Sequence, residues 1–167
     1  SSVRDERLFR EALSLSHVLK YSHERLSGIG GRLAEGVPLL EIETLGAEGL
    51  RYRLRGRSAS PGWRLMDAYS VGEVRDTVGA GDWCTAGVIH ALGGEGSAGL
   101  FDASESDVDG ALRLGQALAA LTCAYEGARG GMYAMDKRQF RAAIKKILDG
   151  GSPRCRVERR DGGLQKL

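Results

Sequence analysis

Residues 76–82, with the sequence Asp-Thr-Val-Gly-Ala-Gly-Asp, constrain this chain more than any other segment. Two glycines flank an alanine, an aspartate follows, and an apolar stretch that we predict to be helical runs to about Leu92. The first backbone N–H groups of a helix have no acceptor within it, and the helix dipole adds partial positive charge there. Small residues let an anion approach that backbone closely. The segment therefore predicts a phosphate-binding turn at the start of a helix.

Asp82 falls in the first turn of the predicted helix, beside the expected anion. A carboxylate in this position can accept a proton from a hydroxyl group that lies next to a phosphoryl group. Phosphoryl transfer needs such a base together with hydrogen-bond donors for the developing charge. The residues alone leave a second interpretation open, in which a glycine turn is followed by an aspartate that only caps the helix, without catalysis.

The order of predicted elements along the chain is typical of an α/β sandwich. Hydrophobic periodicity predicts helices over residues 4–16, 107–125 and 136–148, and a helix interrupted by glycines over 23–35. Strands are predicted over 18–21, 39–45 and 50–54, with a further extended segment over 63–71, and the second and third strands are expected to form a hairpin. Residues 93–106 are predicted to form a loop rich in glycine and acidic residues, and 127–131 a tight loop.

Composition excludes several classes of function. The formal net charge is only +2 and the basic residues are spread along the chain, so neither nucleic acid nor a membrane surface is an expected partner. No apolar run approaches membrane-spanning length. The three cysteines have no CxxC spacing, which argues against a zinc site and a disulfide framework and makes a reduced, cytoplasmic compartment the default expectation. The three histidines lack metal-ligand spacing and are expected to be surface or packed residues: His17, His23 and His90.

The segment 76–82 resembles the Asp-Thr-x-Gly-Ala-Gly-Asp signature of the PfkB/ribokinase family of carbohydrate kinases. Three further segments follow the order of that family: 18–24 resembles its strand-to-helix segment, 44–49 its Thr-x-Gly-x-x-Gly turn, and 127–131 its late Gly-Ala loop. The resemblance spans roughly residues 5–149. It implies that residues 1–150 form the carboxyl-terminal portion of a ribokinase-like α/β domain, followed over 151–167 by a polar, flexible tail.

The resemblance also implies roles for individual residues. Asp82 would deprotonate the acceptor hydroxyl, while the backbone N–H groups of Gly79, Ala80, Gly81 and Asp82 would bind the transferred phosphate. The turn that contains Thr44, Gly46 and Gly49 would contact the phosphates of ATP, and Gln116 would lie beside the adenine. Mg-ATP would be the phosphoryl donor. Asp76 and the carbonyl of Val78 match positions that hold a monovalent cation in some members.

Two departures from the family pattern bear on function. The family's Asn-x-x-Glu motif, which helps to organise magnesium and phosphate, aligns with residues 22–25, where Ser22 replaces the asparagine and Arg25 the glutamate. Glu24 is the neighbouring candidate to replace that glutamate. The family's amino-terminal half, which supplies most sugar contacts, has no counterpart in this sequence.

Three functional hypotheses follow from these motifs and departures. The first is ATP-dependent transfer of phosphate to a hydroxyl of a sugar or nucleoside-like molecule. The second is a nucleotide-binding or interaction module without catalysis. The third is a structural half that docks on a separately encoded amino-terminal half or forms a homo-oligomer, because a cut sheet would expose a strand edge.

Overall fold

The computed structural model describes residues 5–26, 39–55, 62–150 and 155–157. The chain divides into two compact units, which we call the sheet unit (residues 1–67 and 154–167) and the helical unit (residues 68–153). The described elements are, in chain order, α1 (Glu6–Ser14), β1 (Val18–Ser22), α2 (His23–Leu26), β2 (Leu40–Thr44), a 3₁₀ turn (Gly46–Glu48), β3 (Leu50–Leu54), β4 (Arg64–Met66), α3 (Ala80–Leu92), α4 (Ser97–Asp102), α5 (Glu105–Cys123), α6 (Gly130–Ala134), α7 (Lys137–Asp149) and β5 (Cys155–Val157).

The sheet unit contains one five-stranded sheet in the order β1-β2-β3-β4-β5. β1 pairs in parallel with β2, and the remaining neighbours are antiparallel. The predicted hairpin is confirmed, since β2 and β3 pair with Ile42 opposite Tyr52. Apolar residues two positions apart on a strand lie on the same face of a pleated sheet, and here that face is buried. The buried apolar side chains of the sheet are Leu40, Ile42, Leu50, Tyr52 and Met66.

The region predicted as a polar tail contributes a strand. Residues 155–157 form β5 and pair with β4, with Cys155 opposite Met66 and Val157 opposite Arg64. A three-residue strand without apolar alternation gives almost no signal in the sequence, because its partner decides its conformation. The predicted helix over residues 23–35 is described only as far as Leu26, and the rest of that prediction lies outside the described residues.

The helical unit is built on close contact between α3 and α5. A methyl group added to Gly87 of α3 would lie 2.6 Å from the Cα of Gly115 on α5, and one added to Gly115 would lie 2.7 Å from the carbonyl oxygen of Cys84. The two helix backbones therefore touch where these glycines face each other. Cys84 and Val88 of α3 and Leu112 and Leu118 of α5 are buried. This contact fixes the helix that carries the sequence signature.

The loop predicted over residues 93–106 was wrong, because this segment contains α4 and the start of α5. The tight loop predicted over 127–131 is present, but its last two residues begin α6. Gly99 contributed to the glycine richness of the first segment, but it lies within α4, where a methyl group would come 2.6 Å from the carbonyl oxygen of Leu92. Close approach between two helices, rather than a turn, is thus the reason for glycine at this position. Leu100 is buried and anchors α4.

The remaining helix predictions are confirmed within a few residues. Asp136 caps α7 by accepting hydrogen bonds from the backbone N–H groups of Arg138 and Gln139, and the Gln139 side chain accepts one from the backbone N–H of Asp136. In the part of the chain that the structure describes, none of the helices is long and apolar enough to cross a membrane.

Candidate active site

The turn before α3 is held by the carboxylate of Asp76. Its Oδ1 accepts a hydrogen bond from the backbone N–H of Val78 at 3.0 Å, and Gly79 follows with a φ of 81°. Glycine adopts this left-handed conformation without the steric cost that a side chain would add. Gly79 is the N-cap of α3, and no side chain caps the helix there. The start of α3 consequently presents backbone N–H groups that no capping side chain covers.

The late glycine loop lies directly against this turn. Asp76 Oδ2 accepts a hydrogen bond from the backbone N–H of Gly127 at 2.9 Å, and the indole N–H of Trp83 donates to the carbonyl oxygen of Ala128 at 2.7 Å. A methyl group on Gly79 would lie 2.5 Å from Ala128 Cβ. Two sequence segments that were singled out separately, 76–82 and 127–131, are therefore brought together within the helical unit.

Three of the four predicted anion-binding amides have no acceptor among the described residues. The N–H of Ala80 donates to the carbonyl oxygen of Thr77 at 3.2 Å, so the prediction is corrected for this residue. The N–H groups of Gly79, Gly81 and Asp82 form no such bond within the described part of the chain. Backbone donors without an acceptor at a helix start are satisfied by water or by an anion.

Asp82 lies in the first turn of α3 and is exposed. Its carboxylate forms no ion pair with any described residue. The neighbouring side chain of Trp83 turns inward to Ala128 and packs near Phe140, with ring centroids 5.8 Å apart. The helix thus buries Trp83 in part and leaves the carboxylate of Asp82 open to solvent, where it can reach a ligand at the free amides.

The carboxylate of Asp76 holds the turn and the late glycine loop together by accepting backbone hydrogen bonds from both. The hydrogen bond from Val78, with that from Gly127, lowers the pKa of its carboxyl group. Both oxygens accept backbone hydrogen bonds, and each keeps a further lone pair that a cation could share. Asp76 and Val78, the predicted cation-binding pair, are joined in this turn by the hydrogen bond from the Val78 N–H. Among the residues that the structure describes, no cluster of three or more His, Cys, Asp or Glu side chains is arranged to hold a metal ion.

The lowered pKa of Asp76 predicts a pH-dependent stability. A carboxyl group whose pKa is lower in the folded state contributes stability above its unfolded pKa, and this contribution disappears as the pH falls through the folded value. Asp76→Asn is therefore expected to lower the thermal midpoint at pH 7, and the difference from wild type should shrink below about pH 4. Thermal unfolding followed by circular dichroism at several pH values measures it. A difference that is constant across the pH range would contradict the assigned role of the Asp76 charge.

Thr44, Gly46 and Gly49 form the turn between β2 and β3 in the sheet unit. The hydroxyl of Thr44 donates to the carbonyl oxygen of Tyr21 at 3.3 Å, which ties the ends of β1 and β2 together. Leu45 N–H donates to the carbonyl oxygen of Gly49 at 2.8 Å. Gly46 and Gly49 both have positive φ, at 61° and 103°. The turn thus needs glycine at the two positions where the family motif has it.

A cavity of about 440 Å³ opens beside this turn, lined by His23, Glu24, Leu45, Glu48, Arg51 and Leu65. It lies where the parallel strands β1 and β2 end, and ligands of open α/β sheets commonly bind outside the carboxyl ends of parallel strands. Residues of two motif segments, 18–24 and 44–49, therefore share one cavity within the sheet unit.

Gln116, the residue predicted to lie beside the adenine, belongs to the helical unit. It lies on α5 in the helical unit and is buried, with 8% of its surface exposed. Its predicted place beside the adenine of ATP stays a prediction.

Sequence reasoning missed a charged network on one face of the sheet. Glu41 and Glu43 of β2 are buried, and each forms an ion pair with the arginine opposite it on β3, Arg53 and Arg51. Both guanidinium groups stack on the ring of Trp63, at 4.8 and 4.6 Å from its centroid. The matching alternation of Glu-Ile-Glu with Arg-Tyr-Arg on paired strands was the available signal, because residues two apart on a strand share a face.

Comparison with solved structures identifies the fold. A nucleoside kinase from Burkholderia thailandensis in complex with inosine matches with a TM-score of 0.62 at 18% identity, over 89% of this chain and 45% of its own. A double mutant of fructokinase from Vibrio cholerae, bound to fructose, ADP and a potassium ion, matches with a TM-score of 0.60 at 19% identity, over 87% of this chain and 46% of its own. Aminoimidazole riboside kinase from Salmonella enterica, complexed with aminoimidazole riboside and an ATP analog, matches with a TM-score of 0.62 at 20% identity, over 86% of this chain and 48% of its own.

These similarities define a mixed α/β protein with the ribokinase-like fold, as predicted. The family model of the pfkB family carbohydrate kinases matches residues 10–134, and the chain therefore belongs to that family. A search of curated protein sequences finds no match. The chain spans less than half the length of the three solved structures to which it is similar.

Proposed function

We propose that this chain is part of an ATP-dependent kinase that transfers the terminal phosphoryl group of ATP to a hydroxyl of a sugar or nucleoside-like molecule, with Asp82 as general base. The observation that carries the proposal is the start of α3, where the exposed carboxylate of Asp82 shares one helical turn with the free N–H groups of Gly79, Gly81 and Asp82. Membership of the pfkB family supports the reaction class. The solved relatives that bind ADP or an ATP analog support the donor.

In the proposed reaction, the carboxylate of Asp82 takes the proton of the acceptor hydroxyl as its oxygen bonds to the γ-phosphorus. The bond from that phosphorus to the bridging oxygen breaks, and ADP leaves with the electron pair. Charge develops on the oxygens of the transferred group, where the amides of Gly79, Gly81 and Asp82 can donate hydrogen bonds. Asp76 fixes these amides by holding the turn and the loop at Gly127 together.

Magnesium would neutralise charge on the phosphates. Mg²⁺ is usually held by one or two carboxylates together with substrate phosphates and water, rather than by a cage of side chains. Glu24, which lines the cavity beside the turn at 44–49, is the side chain that we propose for this role. Asp76 and the Val78 carbonyl are proposed to hold a monovalent cation.

We also propose that the chain supplies the carboxyl-terminal half of the kinase. The four motif segments stand in the family order, and the chain spans less than half of each solved relative described above. Most contacts to the acceptor would then come from residues outside this sequence. Because this chain would then lack most acceptor contacts, a second candidate function for the chain alone is nucleotide binding without turnover.

One experiment separates the two candidates. The protein is incubated with Mg-ATP and a panel of sugars and nucleosides, and ADP release is measured with each acceptor, alongside thermal unfolding with and without nucleotide. A kinase is expected to release ADP only with its acceptor and to be stabilised by the nucleotide. Stabilisation without acceptor-dependent ADP release indicates a binding module. If the protein shows neither acceptor-dependent ADP release nor stabilisation by the nucleotide, both proposals are contradicted.

A further inference from the structure

The side chain of Trp83 joins α3 to the late glycine loop. Its indole N–H donates a hydrogen bond at 2.7 Å to the carbonyl oxygen of Ala128, which lies 45 residues further along the chain. Its ring packs against the core of the helical unit, with its centroid 5.8 Å from that of Phe140 on α7. A partly buried tryptophan combines an apolar body with one directional donor. This side chain therefore links the core to the loop.

The loop is attached at two successive residues. The backbone N–H of Gly127 donates to Oδ2 of Asp76 at 2.9 Å, and the carbonyl oxygen of Ala128 accepts from Trp83. The first bond attaches the loop to the turn before α3, and the second attaches it to the first turn of the helix itself. Because the two bonds lead to different points, the loop cannot rotate about either bond without breaking the other.

Ala128, held in this way, limits the position of Gly79. A methyl group on Gly79 would lie 2.5 Å from the Cβ of Ala128 and 2.8 Å from its Cα, so the two backbones are in contact. The carbonyl oxygen of Gly79 also accepts a hydrogen bond from the backbone N–H of Trp83 at 2.9 Å. Trp83 thus restrains Gly79 directly through the main chain and indirectly through Ala128. The N–H groups of Gly79, Gly81 and Asp82, which have no acceptor among the described residues, lie in this restrained segment.

The anchored ring also sets the direction of Asp82. Consecutive side chains of an α-helix point about 100° apart around its axis. With the ring of Trp83 packed against the core, the side chain of Asp82 is directed away from it and is exposed. A helix that could rotate about its axis at this end would not hold the carboxylate in one direction relative to the free amides.

We propose that Trp83 is a positioning residue for phosphoryl transfer. Through Ala128 it holds the free amides of the turn in one arrangement, and through its packing it keeps the carboxylate of Asp82 on the open side of α3. The proposal rests on the proposed function, because it takes the transferred phosphoryl group to bind at these amides. Donors stabilise developing charge best when they are fixed before the reaction, and a misplacement of about 1 Å lowers a rate by about 100-fold. Trp83 itself touches none of the reactants.

The first test is independent of catalysis. Trp83→Phe removes the indole N–H but retains an aromatic ring beside Phe140. In the ligand-free chain, the solvent exchange of the Gly127 amide, measured by NMR, is expected to become about two- to tenfold faster, as the loss of one neutral hydrogen bond predicts. Ile144→Val shortens a buried side chain of the same core without removing the hydrogen bond to Ala128, and there the exchange should stay within about twofold of wild type. Unchanged exchange in Trp83→Phe overturns the inference.

A second variant separates the hydrogen bond from the packing of the ring. Replacement of Trp83 by 3-benzothienylalanine keeps the shape of the two fused rings and places a sulfur atom where the N–H was. This variant is expected to fold as wild type does and to show the same faster exchange of the Gly127 amide as Trp83→Phe. Exchange at the wild-type rate would show that the ring alone holds the loop, which contradicts the role assigned to the indole N–H.

The last test is steady-state ADP release with the acceptor that the panel identifies, at a temperature where all variants are folded. Trp83→Phe is expected to lower kcat by about 10- to 100-fold and to leave the KM for ATP within about threefold of wild type, because the positioned donors act mainly in the transition state. A merely structural effect would be shared by Ile144→Val, which should keep the kcat of wild type. If Trp83→Phe also keeps it, the role of Trp83 falls and the proposed function stands. If wild type itself releases no ADP with any acceptor, the proposed function falls, and with it this role in catalysis.

Discussion

Asp82→Asn is expected to lower the kcat for phosphoryl transfer by about 100- to 10,000-fold and to leave nucleotide affinity close to that of wild type. Asparagine has nearly the same shape as aspartate and leaves the backbone N–H groups of Gly79, Gly81 and Asp82 in place, but it cannot take the proton of the acceptor hydroxyl. A residue that acts only in the transition state affects kcat rather than ground-state binding. The measurement is steady-state ADP release with the acceptor that the panel of sugars and nucleosides identifies.

Asp102→Asn is the matched control for this substitution. Asp102 ends α4 in the same unit, is exposed, and forms no ion pair with a described residue. Removing its charge changes the net charge by the same amount as Asp82→Asn without touching the start of α3. We expect kcat within about twofold of wild type, as for most surface substitutions. Unchanged turnover in Asp82→Asn would remove this residue from the role of base.

Gly115→Ala is expected to destabilise the protein by about 1–3 kcal/mol, although alanine favours helices. The added methyl group would lie 2.7 Å from the carbonyl oxygen of Cys84 and 3.3 Å from its sulfur. Because the nearest atom belongs to the backbone of α3, a rotamer change cannot relieve the overlap, and the two helices have to separate. Urea denaturation followed by circular dichroism measures the free energy of unfolding.

Gly110→Ala tests the same exchange where the helix has room. Gly110 lies on α5, five residues before Gly115, and no heavy atom lies within 4 Å of a methyl group added there. Here alanine should stabilise the protein by about 0.5–1 kcal/mol through its helix propensity. The two substitutions are therefore expected to have opposite signs. Equal effects at the two positions would show that α3 and α5 do not approach each other as closely as the structure places them.

The elements that sequence reasoning identified correctly carry local signals. The alternation of Leu50–Leu54 predicts a half-buried strand, and Asp136 before an amphipathic stretch predicts a capped helix; both are present. The turn at 76–79 and the start of α3 follow from glycine and aspartate chemistry that acts over a few residues. These features depend on neighbours in the chain, and so the sequence reveals them directly.

With one exception, the features that were missed depend on contacts between separate elements of the fold. α4 was predicted to be part of a loop because residues 93–106 are rich in glycine and acidic residues, although Gly99 lies against Leu92 at the end of α3. The exception is local: Ala80 was counted among the free amides, but its N–H donates to the carbonyl oxygen of Thr77 inside the turn. The contact between Nδ1 of His23 and the carboxylate of Glu43 joins the start of α2 to β2, and neither residue alone indicates it. Such contacts become visible only when the register of the sheet is known.

The structure also divides the candidate residues between the two units. Asp76, Val78 and the residues 79–82 belong to the helical unit, while Thr44, Gly46, Gly49 and the cavity with His23 belong to the sheet unit.

We propose that the free amides at the start of α3 bind the terminal phosphate of a nucleotide. Two-dimensional ¹H–¹⁵N NMR spectra of the labelled chain, titrated with a non-hydrolysable ATP analogue and Mg²⁺, report on these amides individually. We expect the amide resonances of Gly79, Gly81 and Asp82 to shift in a saturable way, while that of Gly110 on α5 does not. Saturable shifts elsewhere in the spectrum, with those three resonances unmoved, would contradict it.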